Sequence, residues 1–360
     1  MKQVLATGAA LSMALSMTPV TASAADKVDI NVIAAQYGQQ TADWWANFVT
    51  EFNEANPDIN LNVEVVSWND IYTVVNTRIA NGEAPDVLNI DVFADYQADD
   101  LLLPIQDVVS EETYSKMYDA FLAQSEVDGT VWAIPDLASA RAMYYNKDIL
   151  DAAGVEVPTT WDELKAACEA LKAYDDSIYP WGIDMTTDEG QAAFAYYTWN
   201  NGGGFVDDEG NWTLNSEQNV EAIQYAIDLV NSGYTNTDPA NDTRYDLQDM
   251  FGAGKVAMLI APNSLPTYIA TGGNEVNYGV ASIPSNTASL YLQVLWTASC
   301  ASITTTQMMR KLLSPHSLII SMMMPVIQSG LTWRDSFRQP SPAARLSQQL
   351  TKIWQAGLIS

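Results

Sequence analysis

Apolar and polar residues follow two different periods along the first 290 residues of the chain. Apolar runs at 29–35 and 87–90 predict strands, and alternating apolar positions at 61–65 predict another. Between them, apolar side chains recur at helical spacing, and the helix predicted from Thr41 to Ala55 carries Trp45, Phe48, Val49 and Phe52 on one face. Strands that alternate with helices predict an α/β fold, with helices over a largely parallel sheet.

The same alternation continues in the second half of the chain. Thr160 and Glu163 form a capping-box pattern, which predicts a helix start before a buried stripe. A further helix is predicted after Ser216, and strands are predicted at 256–260 and 278–283. The buried stripes expected on the two helices are Trp161, Leu164, Cys168 and Leu171 on the first, and Val220, Ile223, Ile227 and Val230 on the second.

The N-terminal residues have the order of features found in export signals. Lys2 precedes an apolar run at 4–17, and Ala22-Ser23-Ala24 is a small-residue cleavage site. We therefore expect residues 1–24 to be a signal peptide that sends the protein to the periplasm. No cysteine follows this site, so no lipid anchor is expected. No later stretch has about 18 consecutive apolar residues, the length expected of a transmembrane helix.

Composition narrows the possible ligands and chemistries. With 48% hydrophobic and 17% charged residues, the chain should form packed cores. A net charge of −28 repels phosphate backbones and argues against nucleic acid as a partner. Cys168 and Cys300 could pair in an oxidising compartment, but Cys168 lies on the apolar side of its predicted helix, which favours a free buried thiol.

The composition changes abruptly near residue 290. Residues 26–292 contain 43 acidic and 9 basic residues, whereas residues 293–360 contain one acidic residue, Asp335, against six basic ones. The only histidine, His316, also lies in this last segment. A change of reading frame would explain such a contrast. Our hypothesis is that 293–360 is an anomalous, frameshifted tail. Sequencing of the encoding DNA would test this hypothesis.

Seven segments in the same order resemble the extracellular solute-binding proteins of the maltose-binding class, which serve ABC sugar importers. They include 48–59 (FVTEFNEANPDI), 127–135 (VDGTVWAIP) and 250–258 (MFGAGKVAM). The other four matching segments are 81–87, 145–148, 158–164 and 199–205. The resemblance runs from about Val28 to Pro284.

This resemblance implies a two-lobed periplasmic-binding-protein-like fold with a hinge between the lobes. Lobe 1 is expected at 25–134, with part of 265–292 returning to it, and lobe 2 at 135–264. The chain is expected to cross between the lobes near 133–142 and 261–264. The implied ligand is a sugar or polyol held between the lobes without a cofactor, and the implied partners are the membrane permease subunits of the importer. We expect a monomer.

A sugar presents an apolar face ringed by hydroxyl groups, so its receptor needs aromatic rings together with polar side chains. Trp199, which precedes the stretch from Asn200 through Gly203 to Phe205, matches a stacking tryptophan of the family, although packing is the alternative. Tyr37 follows the first strand, where α/β folds place ligand loops. Trp44 and Trp45 cannot both face one core, which leaves Trp44 for the cleft or for solvent.

Four polar residues complete the predicted site. Asp91 follows a strand and corresponds to a carboxylate that binds sugar hydroxyls in the family, with a helix cap as the alternative. Ser139 and Arg141 lie in the first crossing, and Arg141 binds either the ligand or a structural carboxylate. Asn263 occupies a position where the family often has tryptophan, so no stacking is expected there.

Enzymatic chemistry finds little support in these residues. A catalytic triad or a zinc site normally needs histidine, and the only histidine lies in the tail. Gly252-Ala-Gly-Lys255 resembles part of a phosphate-binding loop, but Val256 stands where that loop has Ser or Thr. We therefore expect a binding protein and not an enzyme. The alternative is a secreted carbohydrate-active hydrolase using two of the many carboxylates. An adhesive protein is less favoured, because repeats are absent.

Overall fold

The structure, a computed structural model, describes residues 27–207 and 209–287, together with the backbone of one strand at 294–301. The predicted signal peptide and all of the predicted tail except that strand lie outside the described residues. The strands are β1 Val28–Ala35, β2 Ile59–Val66, β3 Val87–Ile90, β4 Glu126–Val127, β5 Thr130–Val131, β6 Ile134–Asn146, β7 Tyr179–Gly182, β8 Val256–Pro262, β9 Tyr278–Ala281 and β10 Val294–Ala301. The α-helices are α1 Thr41–Ala55, α2 Ile71–Ala80, α3 Ala94–Ala98, α4 Glu111–Tyr114, α5 Asp119–Leu122, α6 Lys147–Ala153, α7 Trp161–Tyr174, α8 Gly190–Trp199, α9 Glu217–Asn231, α10 Arg244–Gly252 and α11 Leu265–Thr271.

The first part of the sheet is parallel and covered on both faces. β1 pairs with β2 on one side and β3 on the other, both in parallel. Successive β1 side chains point to opposite faces, so Val32 packs with the aromatic residues of α1, whereas Ile33 packs with the apolar residues of α2. This double cover explains why β1 and β3 are mostly buried and apolar, whereas β2, at the end of the strand order, alternates.

The second part of the sheet has the same layered construction. β8 pairs in parallel with β7 and antiparallel with β6, which also pairs with β9. Trp161 and Cys168 of α7 pack on one face, and Phe251 of α10 packs on the other. Cys168 is fully buried as a free thiol, and burial raises its pKa to about 12. The side chain of Cys300 is outside the described residues.

A single long strand links the two parts. The first half of β6 pairs with β10, which in turn pairs with β3, and its second half pairs with β8 and β9. The resulting strand order is β2-β1-β3-β10-β6-β8-β7, with β9 paired to β6. The predicted first crossing at 133–142 falls on this strand. Within the described ranges, every helix is too short or too polar to cross a membrane.

Most elements agree with the sequence predictions, but the buried face of α9 does not. The capping box at Thr160 is present, and α1 and β3 have the predicted bounds. On α9, Val220, Ile227 and Val230 are 55%, 45% and 39% exposed, so the predicted stripe was wrong. The buried positions are instead Asn219, Ala222, Ala226 and Leu229. Asn219 fixes this rotation because its amide bonds a neighbouring loop.

Candidate functional site

A tyrosine–carboxylate pair lies at the carboxyl end of β3. Asp91 directly follows the strand, and the hydroxyl of Tyr72, from α2, donates to its Oδ1 at 2.8 Å. Burial is the main reason why the pKa values of both groups are raised. The predicted alternative for Asp91, a helix cap, is not what the structure shows, because α3 begins only at Ala94 and has no side-chain cap.

Two arginines and two carboxylates form a buried network on the other side. Arg141 Nη2 and Arg244 Nε lie 2.9 and 2.7 Å from the same oxygen, Oε1 of Glu189. Arg244 Nη2 lies 3.5 Å from Asp188 Oδ2. All four side chains are only 8% to 12% exposed. Two partners were predicted for Arg141, a ligand or a structural carboxylate, and the structure shows a contact with the carboxylate of Glu189.

This network and the β3 pair lie close to each other. Glu189 raises the pKa of Asp91, and Asp91 in turn contributes to the raised pKa of Asp188, so the groups are close enough to interact through their charges. A direct contact lies beside them, where the hydroxyl of Tyr245 donates to the backbone oxygen of Gln36 at 3.0 Å. The site therefore forms where the two parts of the sheet meet.

Three further predicted residues lie along this junction. The Tyr37 hydroxyl donates to Asn89 Oδ1 at 2.8 Å, and its ring meets Trp68 edge-on at 5.8 Å. The Ser139 hydroxyl donates to Asn263 Oδ1 at 3.3 Å, which joins β6 to the residue after β8. With Asp91 and Arg141, the structure thus brings five of the predicted residues to the strands around β6.

Four predicted residues have packing contacts elsewhere. Trp44 stacks on Phe48, with ring centroids 5.6 Å apart, over the outer face of β1. The other three lie at the C-terminal end of α8, where Trp199 is its last residue, about 15 Å along the helix axis from Glu189. There the Trp199 ring meets Phe205 edge-on, the Asn200 amide donates to a helix carbonyl, and Gly203 lies against Asn219. Their predicted ligand contacts stay predictions.

Five residues of the site were not predicted from the sequence: Tyr72, Asp188, Glu189, Arg244 and Tyr245. Arg244 carried a usable signal, since basic residues are as rare around it as around Arg141. The two carboxylates carried none, because acidic residues are abundant throughout residues 26–292. Within 27–207 and 209–287, no group of three or more His, Cys, Asp and Glu side chains is placed to hold a metal ion.

The burial of Asp188 predicts a pH dependence of stability. Its pKa is raised to about 6, chiefly by desolvation, with Arg244 opposing and the carboxylates of Glu189, Asp184 and Asp91 adding to the shift. Between about pH 4 and 6 the folded state keeps a proton that the unfolded state releases, so stability falls as the pH rises through this window. Asp188→Asn removes this titrating group and should therefore make the fall in stability between about pH 4 and 6 less steep.

Urea unfolding between pH 4 and 7 measures this effect. The decline in stability with pH should become shallower in Asp188→Asn than in the wild type. The exposed Asp175, whose pKa is lowered by hydrogen bonds from Ser177, serves as a control, and Asp175→Asn should leave the decline in place. An equally steep decline in Asp188→Asn would contradict the assignment.

The fold is that of two-lobed ABC substrate-binding proteins. One similar structure is the ABC substrate-binding protein of Listeria monocytogenes in complex with cycloalternan, with a TM-score of 0.67, 23% identity, and coverage of 79% of this chain and 73% of that one. Another is a solute-binding protein of Thermotoga lettingae bound with α-D-tagatose, with a TM-score of 0.72, 17% identity, and coverage of 90% and 83%.

The family is shown by the sequence match. Residues 37–304 match the family model described as bacterial extracellular solute-binding protein, and the chain belongs to this family, which consists of binding proteins and not of enzymes. A binding protein of Brucella abortus (strain 2308) is 31% identical over 267 residues, 73% of this chain. The chain spans 65% of the length of that relative. The match extends past the predicted tail boundary at 293.

Proposed function

We propose that this chain is the periplasmic substrate-binding component of an ABC importer and captures an uncharged sugar or polyol without altering it. The observation that carries the proposal is the pair of neighbouring polar groups, Tyr72 with Asp91 on one side and Asp188, Glu189 and Arg244 on the other. The proposed lobes are 25–134 and 135–264, with part of 265–292 returning to the first, after removal of a signal peptide at 1–24. The protein acts as a monomer.

The chemistry of these neighbouring groups suits a ligand with many hydroxyls. Carboxylate oxygens of Asp91 and Asp188 accept from hydroxyl groups, and charge-assisted bonds of this kind are strong. The Tyr245 ring, which also lies 4.4 Å beneath the Arg244 guanidinium, offers an apolar surface to the C–H face of a sugar. An anionic ligand would meet several buried carboxylates, so a neutral one is favoured.

Closure of the two lobes would allow the importer to distinguish the ligand-bound protein from the free one. A ligand that touches both groups stabilises the state in which they lie close to each other, since only differential contact can shift such an equilibrium. The bond from Tyr245 to Gln36 belongs to that state. The membrane permease subunits would then recognise the closed form.

Related proteins support this class of ligand. An arabinooligosaccharide-binding protein of Halalkalibacterium halodurans is 30% identical over 54% of this chain and 44% of its own length. A similar structure from Agrobacterium radiobacter is in complex with ribitol, with a TM-score of 0.68, 20% identity, and coverage of 81% of this chain and 75% of that one.

A thermal-shift panel tests the proposal. The compounds are arabinobiose, maltose, laminaribiose, tagatose, ribitol and D-mannitol, with glucuronate as an anionic control. At least one neutral compound at about 100 times its Kd should raise the melting temperature by about 5 °C, and glucuronate should not. Chromatography of the same mixtures should recover the compound intact. No shift with any neutral compound would contradict the proposal, and a cleaved product would favour the hydrolase instead.

A further inference from the structure

A narrow pocket lies beneath the buried ion-pair network, within the second part of the sheet. Its floor is apolar and comes from β7 and β8, including Trp181 and Leu259. Its walls are polar and come from β6, from the segment before α8, from α8 and from α10, through Arg141, Asp184, Glu189, Tyr196, Arg244 and Gln248. It has room for about one or two water-sized groups.

Four residues that line this pocket each carry a buried polar atom without a hydrogen-bond partner among the described residues. These atoms are Tyr196 Oη, Gln248 Nε2, Arg141 Nε and Asp184 Oδ2. Tyr196 is 6% exposed and Gln248 only 1%. A buried polar atom left unpaired is costly, and native proteins avoid it almost everywhere. The presence of four such residues from different elements in one lining points to a polar group that binds there.

The hydrogen-bonding pattern of the four atoms defines the chemistry of that group. Gln248 Nε2 and Arg141 Nε can only donate, Asp184 Oδ2 accepts, and the Tyr196 hydroxyl can do either. The matching group must therefore both accept and donate, as an alcohol does. The charges of Arg141 and Arg244 balance those of Asp184 and Glu189 in this lining. A carboxylate could accept from the donors but would have no proton for Asp184.

We propose that this pocket is a ligand subsite that takes a terminal hydroxyl or hydroxymethyl group of the bound sugar or polyol. The proposal rests on the proposed function. It adds that a terminal group of the ligand enters this pocket and that this group is uncharged. Tyr196 is then a specificity-determining residue. An ordered water that serves only the fold is the competing occupant.

Adjacent tyrosines on α8 provide a matched pair of variants. Tyr196 has an unpaired hydroxyl, whereas the hydroxyl of the equally buried Tyr197 accepts from Trp181 Nε1 at 2.9 Å. Tyr196→Phe should leave the ligand-free melting temperature within about 1 °C of wild type and weaken binding about 5- to 20-fold, the loss expected for one hydrogen bond. Tyr197 also lines the pocket, but its hydroxyl is already bonded, so Tyr197→Phe should lower the ligand-free melting temperature by several degrees and weaken binding less than Tyr196→Phe.

Calorimetric titration with the neutral panel compound that stabilises the wild type most measures these affinities. A second titration uses the same compound with one terminal hydroxymethyl group oxidised to a carboxylate, and it should bind more weakly than the alcohol because it has no proton to donate to Asp184. Unchanged affinity in Tyr196→Phe, or equal binding of the acid, would overturn the subsite while leaving the proposed function intact. A lower ligand-free melting temperature in Tyr196→Phe would assign the pocket to a structural water. If no panel compound binds the wild type, both proposals fall.

Discussion

Replacing Glu189 with glutamine should lower the free energy of unfolding by about 3 to 5 kcal/mol, the largest effect that we expect from a single substitution in this protein. Glu189 Oε1 is the shared ion-pair partner of Arg141 and Arg244, and all three side chains are nearly inaccessible to water. Glutamine has the same shape but no charge. The two guanidinium groups would then stay buried beside each other, with only the more distant Asp188 near Arg244.

Urea unfolding monitored by circular dichroism measures this change, and a surface pair provides the control. Glu112 forms an ion pair with Lys116 one helical turn away at 2.9 Å, but both side chains are exposed. Glu112→Gln should therefore leave the unfolding midpoint unchanged, because water screens such pairs. If Glu189→Gln proved as stable as Glu112→Gln, the network could not be a buried structural element.

Much of the fold could be predicted because its signals are local. The helix at Thr41–Ala55 and the strand at Val87–Ile90 follow from apolar periods that lie within a few residues of each other. The orientation of α9 could not be predicted in this way. Its larger apolar residues point outward because a buried asparagine, Asn219, bonds the loop at Gly204 and sets the rotation of the helix. That bond joins residues which no helical period relates.

The candidate site was predictable only where a residue was unusual in its surroundings. Arg141 stood out as a rare base in an acidic segment, and Asp91 stood out because it follows a buried strand. Asp188 and Glu189 did not stand out, since their role comes from meeting Arg244, which lies more than fifty residues further along the chain. Tertiary contacts of this kind leave no trace in local spacing.

The change of composition near residue 290 falls just before a strand of the central sheet. The backbone of β10, at Val294–Ala301, lies between β3 and β6, and the family match continues to residue 304. The similarity to the family therefore ends later than the predicted tail begins. A change of reading frame remains the hypothesis for the residues that differ so strongly in charge.

Replacing Gly203 with alanine should destabilise the ligand-free protein by about 2 to 4 kcal/mol. A Cβ atom at this position would clash with Asn219 Oδ1. Asn219 is 1% exposed and cannot move freely, because its side chain bonds both backbone groups of Gly204 and the carbonyl of Thr213. The cost combines overpacking with the loss of buried hydrogen bonds.

Two controls separate this packing effect from the ligand contact that the sequence predicted for Gly203. Gly38→Ala should be neutral or slightly stabilising, because nothing lies within 4 Å of the added carbon and the residue has no left-handed backbone conformation. In an Asn219→Ala background, Gly203→Ala should cost far less than in the wild type, since the clashing oxygen is gone. Urea unfolding of the wild type, Gly203→Ala, Asn219→Ala and the double variant, all without ligand, gives the coupling energy directly. If Gly203→Ala left ligand-free stability unchanged and weakened only sugar binding, the close approach of Asn219 could not be the reason for glycine at this position.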